Sequence, residues 1–456
     1  SLLGFYSFSS RVSYADRVIG FNPNGSPILS GPLPFFDQFS NNKGHNFGLQ
    51  LNIPILNGFS AKNNLDRFKI ALDRSKINEK QATLDLERNV YTAITNAKAA
   101  LNAYDAAIAV QFTLAVVYPA AGNIGGGGFL LSRNKEGVLM GIDFREAAPS
   151  KAHRDMYLDE NGNPIDGMSR LGASASGIPG SVAGMFSTLP FAKMTMKQLL
   201  QPAYELAANG FVITESEARS LNAERKNFIN HSAQASAFTR KENWKAGDTL
   251  YQPELAATIL RIQQKGKAGF YEGETADLIV KEMKNSKGVI SLEDLKNYNP
   301  KFRKPIEFDY RGHHIISFAP PSSGGILIAQ MMQMIAPYPV SVMGANTFES
   351  VSLMVEAQRR AYADRAEHMG DPDFWKVPTS TLTSNAYAQA RMKDYQPGVA
   401  GNSKMIEAGV AKESEQTTHF SVIDEAGNMV SVTTTLNDTY GNKTIVGGAG
   451  FLLNNE

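Results

Sequence analysis

Residues 47–55 alternate strictly. Phe47, Leu49, Leu51, Ile53 and Ile55 are apolar, separated by Gly48, Gln50, Asn52 and Pro54. A period of two predicts a strand with one apolar face, with its end or a sheet edge at Pro54. Phe5, Tyr6 and Phe8 predict a second, aromatic-rich strand, and residues 20–44, rich in Asn, Gly and Pro, read as a long loop. After Asn57-Gly58 the spacing becomes helical. Leu65, Phe68 and Leu72, then Leu86, Val90, Ile94, Ala97, Leu101 and Tyr104, recur every three or four residues. Neither Gly (after Gly58) nor Pro interrupts residues 60–115, so the pattern admits one very long helix.

From residue 105 the pattern breaks into shorter units. Residues 105–117 read as an apolar helix stopped at Tyr118-Pro119, and Asn123-Ile124-Gly125-Gly126-Gly127-Gly128 as a tight turn that lets backbones approach closely. A strand is expected over residues 137–143, followed by Phe144-Arg145-Glu146-Ala147-Ala148-Pro149. Residues 177–184 form a glycine-rich turn into a helix. Further helices are expected over 199–210, 255–265, 274–285, 326–335 and 356–368, the last with an alternating-charge face read as solvated or ion-paired. Ser291-Leu292-Glu293-Asp294 has capping-box spacing, and residues 305–318 hold two short strands around Tyr310-Arg311-Gly312. Residues 396–416 are polar with little periodicity. Two alternating segments then flank Glu425-Ala426-Gly427-Asn428, the signature of a hairpin.

Composition narrows the chemistry. A hydrophobic content of 43% and a charged content of 20% are ordinary for a globular chain. Its 456 residues suffice for two or three domains or one large one, and the net charge of +1 favours neither nucleic acid nor an anionic membrane as partner. With no cysteine, disulfides and thiolate nucleophiles are excluded. The seven histidines are scattered without a His-Glu-x-x-His arrangement, so no metal and no cofactor are expected. The glycine run lacks the Lys-Ser/Thr of a phosphate loop, and no Gly-x-Ser-x-Gly elbow occurs. The first residues lack the basic and long apolar regions of a secretory signal.

The hairpin begins Gln416-Thr417-Thr418-His419. If the bond before Thr417 is cut, the new α-amine lies beside the Thr417 hydroxyl. Its pKa of roughly 8 leaves part of it neutral near pH 7, able to take the hydroxyl proton. On pattern alone the simpler reading is a Thr-rich hairpin with no catalytic role, because a branched Cβ suits the pleat.

The longer run decides for chemistry. Thr417-Thr418-His419, a Ser421-Val422-Ile423-Asp424 strand, the Gly427-Asn428 turn, Thr433-Thr434-Thr435-Leu436-Asn437 and Leu452-Leu453-Asn454-Asn455 together resemble the processing and catalytic site of γ-glutamyltransferases. The Ile142-Asp143-Phe144-Arg145-Glu146-x-Ala148-Pro149 stretch is similar to the same family. The resemblance implies an α+β fold, the four-layer αββα sandwich of N-terminal-nucleophile hydrolases, here incomplete. It implies self-cleavage between Gln416 and Thr417 into large and small subunits, with Thr417 as nucleophile and Thr435 holding it. Arg145 would take the substrate α-carboxylate, and Asn437 and Glu456 its α-amino group. Glutathione and other γ-glutamyl compounds are the implied substrates, water and amino acids or dipeptides the acceptors, and the periplasm or the extracellular space the location. The family continues beyond the residue matching Glu456, so the chain as written is expected to be inactive or poorly folded.

Residues 1–104 are different. The alternating strand, the Pro54-Ile55-Leu56-Asn57-Gly58-Phe59 turn and the helical stretch resemble a fragment of TolC-like outer-membrane efflux factors. On its own this piece is not expected to form a channel, because isolated strands leave open edges. The expected divisions are therefore 1–104, 105–416 and 417–456, with a fusion, a recombination or a joining error in the deduced sequence near residues 99–107. The alternative function is an outer-membrane export component with an incidental transferase-like tail. A third is a glutamate-binding domain without turnover.

Overall fold

A computed structural model describes residues 2–10, 15–41, 43–51, 69, 100–399, 401, 403 and 418–455. The chain separates into two compact units, Ser1–Gln81 and Ala82–Glu456. Among the described residues, no helix is long and apolar enough to cross a membrane.

In the first unit, the strands Leu2–Ser10 and Lys43–Leu51 pair antiparallel, from Leu2 opposite Leu51 to Ser10 opposite Lys43. Both expected strands are present, and Asn52 to Ile55 lie outside the described residues. The expected long loop is instead structured. Arg17–Phe21 and Pro27–Ser30 form a hairpin, followed by the helix Phe35–Asn41. The Asn, Pro and Gly residues that suggested a loop build the hairpin's turn. Gly25 adopts φ of 82°, and the Asn22 N–H donates to the Ser26 carbonyl at 2.9 Å.

The long-helix expectation falls mainly on residues 60–99, nearly all outside the described set, but its C-terminal part, in the second unit, is corrected. The backbone is not helical at residues 100–102. A separate helix, Ala103–Val117, starts at Asn102, whose side chain accepts from the Asp105 N–H at 2.9 Å. The Asp105 carboxylate returns the contact to the Leu101 N–H at 3.1 Å and also accepts the Lys193 and Met194 N–H groups. An Asn cap reinforced from a distant loop thus ends a pattern that neither Gly nor Pro punctuates. Every residue from Ala103 to Val117 is buried, which explains its apolar content all round.

That helix lies on a five-stranded antiparallel sheet whose order is Thr418–Ile423, Met429–Thr435, Gly127–Arg133, Leu139–Asp143 and Lys301–Arg303. Val430, Val432, Leu130 and Ile142 point into the core on the helix side. The helices Met196–Asn209 and Pro253–Lys265 complete this layer. They match the expected ones, with a reciprocal Thr195–Gln198 cap at the start of the first and Gly210 and Gly266 at their ends. The fold is therefore α+β. The helix Phe348–His368 is ion-paired as expected, but inside the protein. Arg360 and Glu356 meet at 2.7 Å with their side chains only 4% exposed.

The glycine run works by close approach. A Cβ on Gly125 would lie 2.0 Å from the Leu452 carbonyl oxygen, one on Gly126 2.2 Å from that of Thr435, and one on Gly128 2.0 Å from that of Thr433. These glycines let the hairpin's second strand and the segment at Leu452 lie close against this run.

Candidate active site

The Thr418–Ile423 and Met429–Thr435 strands pair from Thr418 opposite Thr434 to Ile423 opposite Met429. Their turn is held by Asp424, whose carboxylate accepts from Asn428 Nδ2 at 2.7 Å, the Asn428 N–H at 3.0 Å and the Ala103 N–H at 3.1 Å. Burial works against the Asp424 charge, but these hydrogen bonds outweigh it and hold the carboxyl below its ordinary pKa. The turn is thereby tied to the start of the Ala103–Val117 helix.

The hairpin has two unlike faces. Thr434 points inward, and its hydroxyl accepts from Gln111 Nε2 at 3.0 Å and Asn123 Nδ2 at 3.1 Å. On the other face His419 contacts the Thr433 hydroxyl through Nδ1 at 2.7 Å and the Ser421 hydroxyl through Nε2 at 3.2 Å, and Ser421 meets Ser431 at 2.7 Å.

Thr435 ends its strand opposite Gly127. Asn123 Nδ2 donates to the Thr435 carbonyl at 2.9 Å, and the Thr435 hydroxyl accepts the Asn437 N–H at 2.8 Å. Asn437 has φ of 76°, a left-handed geometry that Asn tolerates better than most residues, and its Nδ2 donates to the Asn455 carbonyl at 3.0 Å. Asn454 Nδ2 donates to the Gly125 and Gly177 carbonyls at 2.9 Å each, while its Oδ1 accepts the Gly177 N–H at 2.9 Å. Thr435 and Asn437, singled out in the sequence, are thus brought together. Gln416, Thr417 and Glu456 lie outside the described residues.

Arg145 follows the Leu139–Asp143 strand. Its N–H donates to Asp143 Oδ1 at 3.1 Å, its carbonyl accepts the Tyr298 hydroxyl at 2.5 Å, and its guanidinium carbon lies 5.8 Å from the Phe129 ring centre. Phe129 pairs with Thr433 on one side and Asp143 on the other, so Arg145 stacks on the face that carries His419 and Thr433. Arg145 lines a cavity of about 720 Å³ with Asp143, Glu146, Tyr298, Lys301 and Arg303. Thr435 and Asn437 do not line it. The link between the two groups is Gly127, opposite Thr435 in the sheet, where an added Cβ would lie 2.5 Å from Glu146 Oε2.

The cavity wall is charged and paired. Arg303 donates to Asp143 Oδ2 through Nε at 3.1 Å and Nη2 at 3.0 Å, and to both oxygens of Asp373 at 2.9 and 2.8 Å. Lys301 also donates to Asp373. These hydrogen bonds, Arg303 first, hold the Asp373 carboxyl far below its usual range.

Glu146 is the exception. Both of its carboxyl oxygens are buried without a hydrogen-bond partner. Burial pushes its pKa up to about 7, and the Asp143 charge adds to the rise. Its own N–H, the Arg145 charge and the Gly127 N–H oppose it, but neither amide reaches hydrogen-bond geometry. The sequence reading passed over Glu146, Asn123, Tyr298 and Arg303. A Glu after an Arg ordinarily reads as surface charge, and Arg303 meets Asp143 across 160 positions. Among the described residues, no group of three or more His, Asp or Glu side chains is placed to hold a metal.

A family model described as Gamma-glutamyltranspeptidase matches residues 98–456. The chain belongs to the γ-glutamyltranspeptidase family. It is 43% identical over 359 residues to the glutathione hydrolase proenzyme of Pseudomonas sp. (strain A14), covering 78% of this chain and 62% of that protein. It is 43% identical over 360 residues to the glutathione hydrolase proenzyme of Escherichia coli (strain K12), with the same coverage. The chain thus spans 62% of the length of these curated relatives. Among solved structures, the γ-glutamyltranspeptidase of Helicobacter pylori is similar with a TM-score of 0.68 and 40% identity, covering 69% of this chain and 93% of that one. The cephalosporin acylase of Bacillus halodurans, at 22% identity, shares the fold with a TM-score of 0.66 over 78% of this chain and 65% of that one.

Proposed function

We propose that this chain carries the site of a γ-glutamyltransferase and glutathione hydrolase that works through Thr417. The observation that carries the reading is the end of the threonine hairpin. There the Thr435 hydroxyl is fixed by the Asn437 N–H, on the same sheet as the cavity that holds Arg145. Thr417 precedes Thr418 in the sequence, and Thr418 is the residue opposite Thr434. Membership of the family and similarity to proteins named as proenzymes support the same assignment.

In the precursor, the Thr417 hydroxyl attacks the Gln416 carbonyl carbon. The peptide C–N bond breaks, the Thr417 nitrogen takes the proton, and an ester remains. Water opens it, leaving a Gln416 carboxylate and a free Thr417 α-amine. Residues up to Gln416 become the large subunit and those from Thr417 the small one. In the mature form, the α-amine takes the hydroxyl proton as Oγ attacks the γ-amide carbonyl of glutathione or another γ-glutamyl compound. The proton passes to the leaving amine, and the glutamyl group stays on Thr417 as an ester. Water or the amine of an amino acid or dipeptide then releases it.

Arg145 supplies a planar guanidinium for the substrate α-carboxylate. Asn437 and Glu456 receive the α-ammonium, and Thr435 holds the nucleophile. Pairing both charges of the glutamyl end selects γ- over α-linked glutamate. The reading places the protein in the periplasm or outside the cell.

The test is purified wild-type protein beside Thr417→Ala, assayed for cleavage and for p-nitroaniline release from γ-glutamyl-p-nitroanilide. Cleavage in the wild type alone supports the assignment, and equal behaviour of the two proteins overturns it.

A further inference from the structure

Glu146 places an acidic group where a charge has little support. Its oxygens are buried in the cavity wall beside Arg145, without a hydrogen-bond partner. Two glycines make room for it. A Cβ on Gly127 would strike the carboxyl, and one on Gly177 would lie 2.9 Å from the Glu146 Cβ. The ionisable groups facing it are Arg145 and Asp143 from its own segment, Tyr271 from the helix Ala268–Tyr271, and Tyr298 just beyond the helix Leu292–Asn297. Neither tyrosine serves as its donor. The Tyr271 hydroxyl donates to the Pro179 carbonyl at 2.8 Å and that of Tyr298 to the Arg145 carbonyl. A buried carboxylate with no donor in hydrogen-bond geometry is disfavoured against the neutral acid.

We propose that Glu146 is a positioning residue that works as a neutral carboxylic acid, keeping a negative charge away from the place where Arg145 receives the substrate's α-carboxylate. The inference rests on the γ-glutamyl reading given above. Protonated, Glu146 fills the space beside Gly127 and Gly177 without altering the field at the guanidinium. Ionised, it sets a fixed negative charge in the same wall and repels the incoming carboxylate. Substrate affinity therefore falls as the acid loses its proton, while the hairpin end and its threonines are untouched.

The experiment measures L-glutamate binding to the full purified chain by calorimetry from about pH 6 to about pH 8.5, a window set by the acid's raised pKa. Wild type and Glu146→Gln are compared, because glutamine keeps the shape of the neutral acid. Wild-type affinity is expected to fall about tenfold or more across this range, and that of Glu146→Gln to stay within about twofold. Any α-amine at Thr417 titrates in both proteins, so the difference isolates Glu146. In parallel, infrared spectra of the wild type are expected to show a neutral carboxyl band at the acid end that Glu146→Gln lacks. Flat wild-type binding, or the same pH dependence in both proteins, overturns the inference. A missing band with binding intact overturns it alone. No binding by either protein at any pH overturns the γ-glutamyl reading and the positioning role with it.

Discussion

The Asn437 N–H donates to the Thr435 hydroxyl at 2.8 Å, across the turn that ends the hairpin's second strand. This bond turns a strand threonine into a fixed polar group. Asn437 adopts a left-handed backbone to make it, and the Asn437 side chain then reaches the Asn455 carbonyl. Thr435→Val keeps the shape but leaves the Asn437 N–H without that acceptor, a loss of about 1 kcal/mol. Self-cleavage should slow about fivefold or more, while Thr435→Ser stays within about twofold of wild type. The rate at which two fragments appear on a denaturing gel checks this.

Arg145 is held at its backbone by Asp143 and Tyr298, so its guanidinium can be altered without moving the chain. Lysine keeps the charge and loses the planar fork. Arg145→Lys should raise the KM for γ-glutamyl-p-nitroanilide by about 10- to 100-fold, with a smaller change in kcat, since uniform binding is lost. A fall confined to kcat would assign Arg145 to the chemical step instead.

Glu146 also makes stability depend on pH. Its folded pKa of about 7 lies above its ordinary value of 4.5, so the folded protein holds the proton more tightly. Between those values the unfolded chain binds fewer protons, and stability falls as pH rises. The full cost, on the order of 3 kcal/mol, is reached above the folded pKa and is absent below the unfolded one. Glu146→Gln removes this slope. Urea unfolding should find the variant gaining on wild type from about pH 5 to about pH 8, with little difference at the acid end.

Much of this was legible because the local signals were strong. The hairpin from Thr418 to Thr435 shows in its alternation around Gly427-Asn428, and the helices ending at Gly210 and Gly266 in their glycine stops. The arrest at Asn102 was hidden, because Asp105 completes that cap by binding Lys193 and Met194, far away in the chain. The hairpin that Arg17–Phe21 opens reads as loop because its turn residues outweigh its short strands. In the site, Thr435, Asn437 and Arg145 stood inside a recognisable run of residues. Nothing local marks Glu146 as buried. Its environment is made by Gly127, Gly177 and Tyr298, which only folding brings around it.

The account depends most on Thr417 becoming the first residue of a new chain. Intact-mass spectrometry of the purified wild type and of Thr417→Ala tests this directly. The account predicts two masses for the wild type, dividing between Gln416 and Thr417, and one unbroken mass for the variant. A single unbroken mass for both proteins would contradict it.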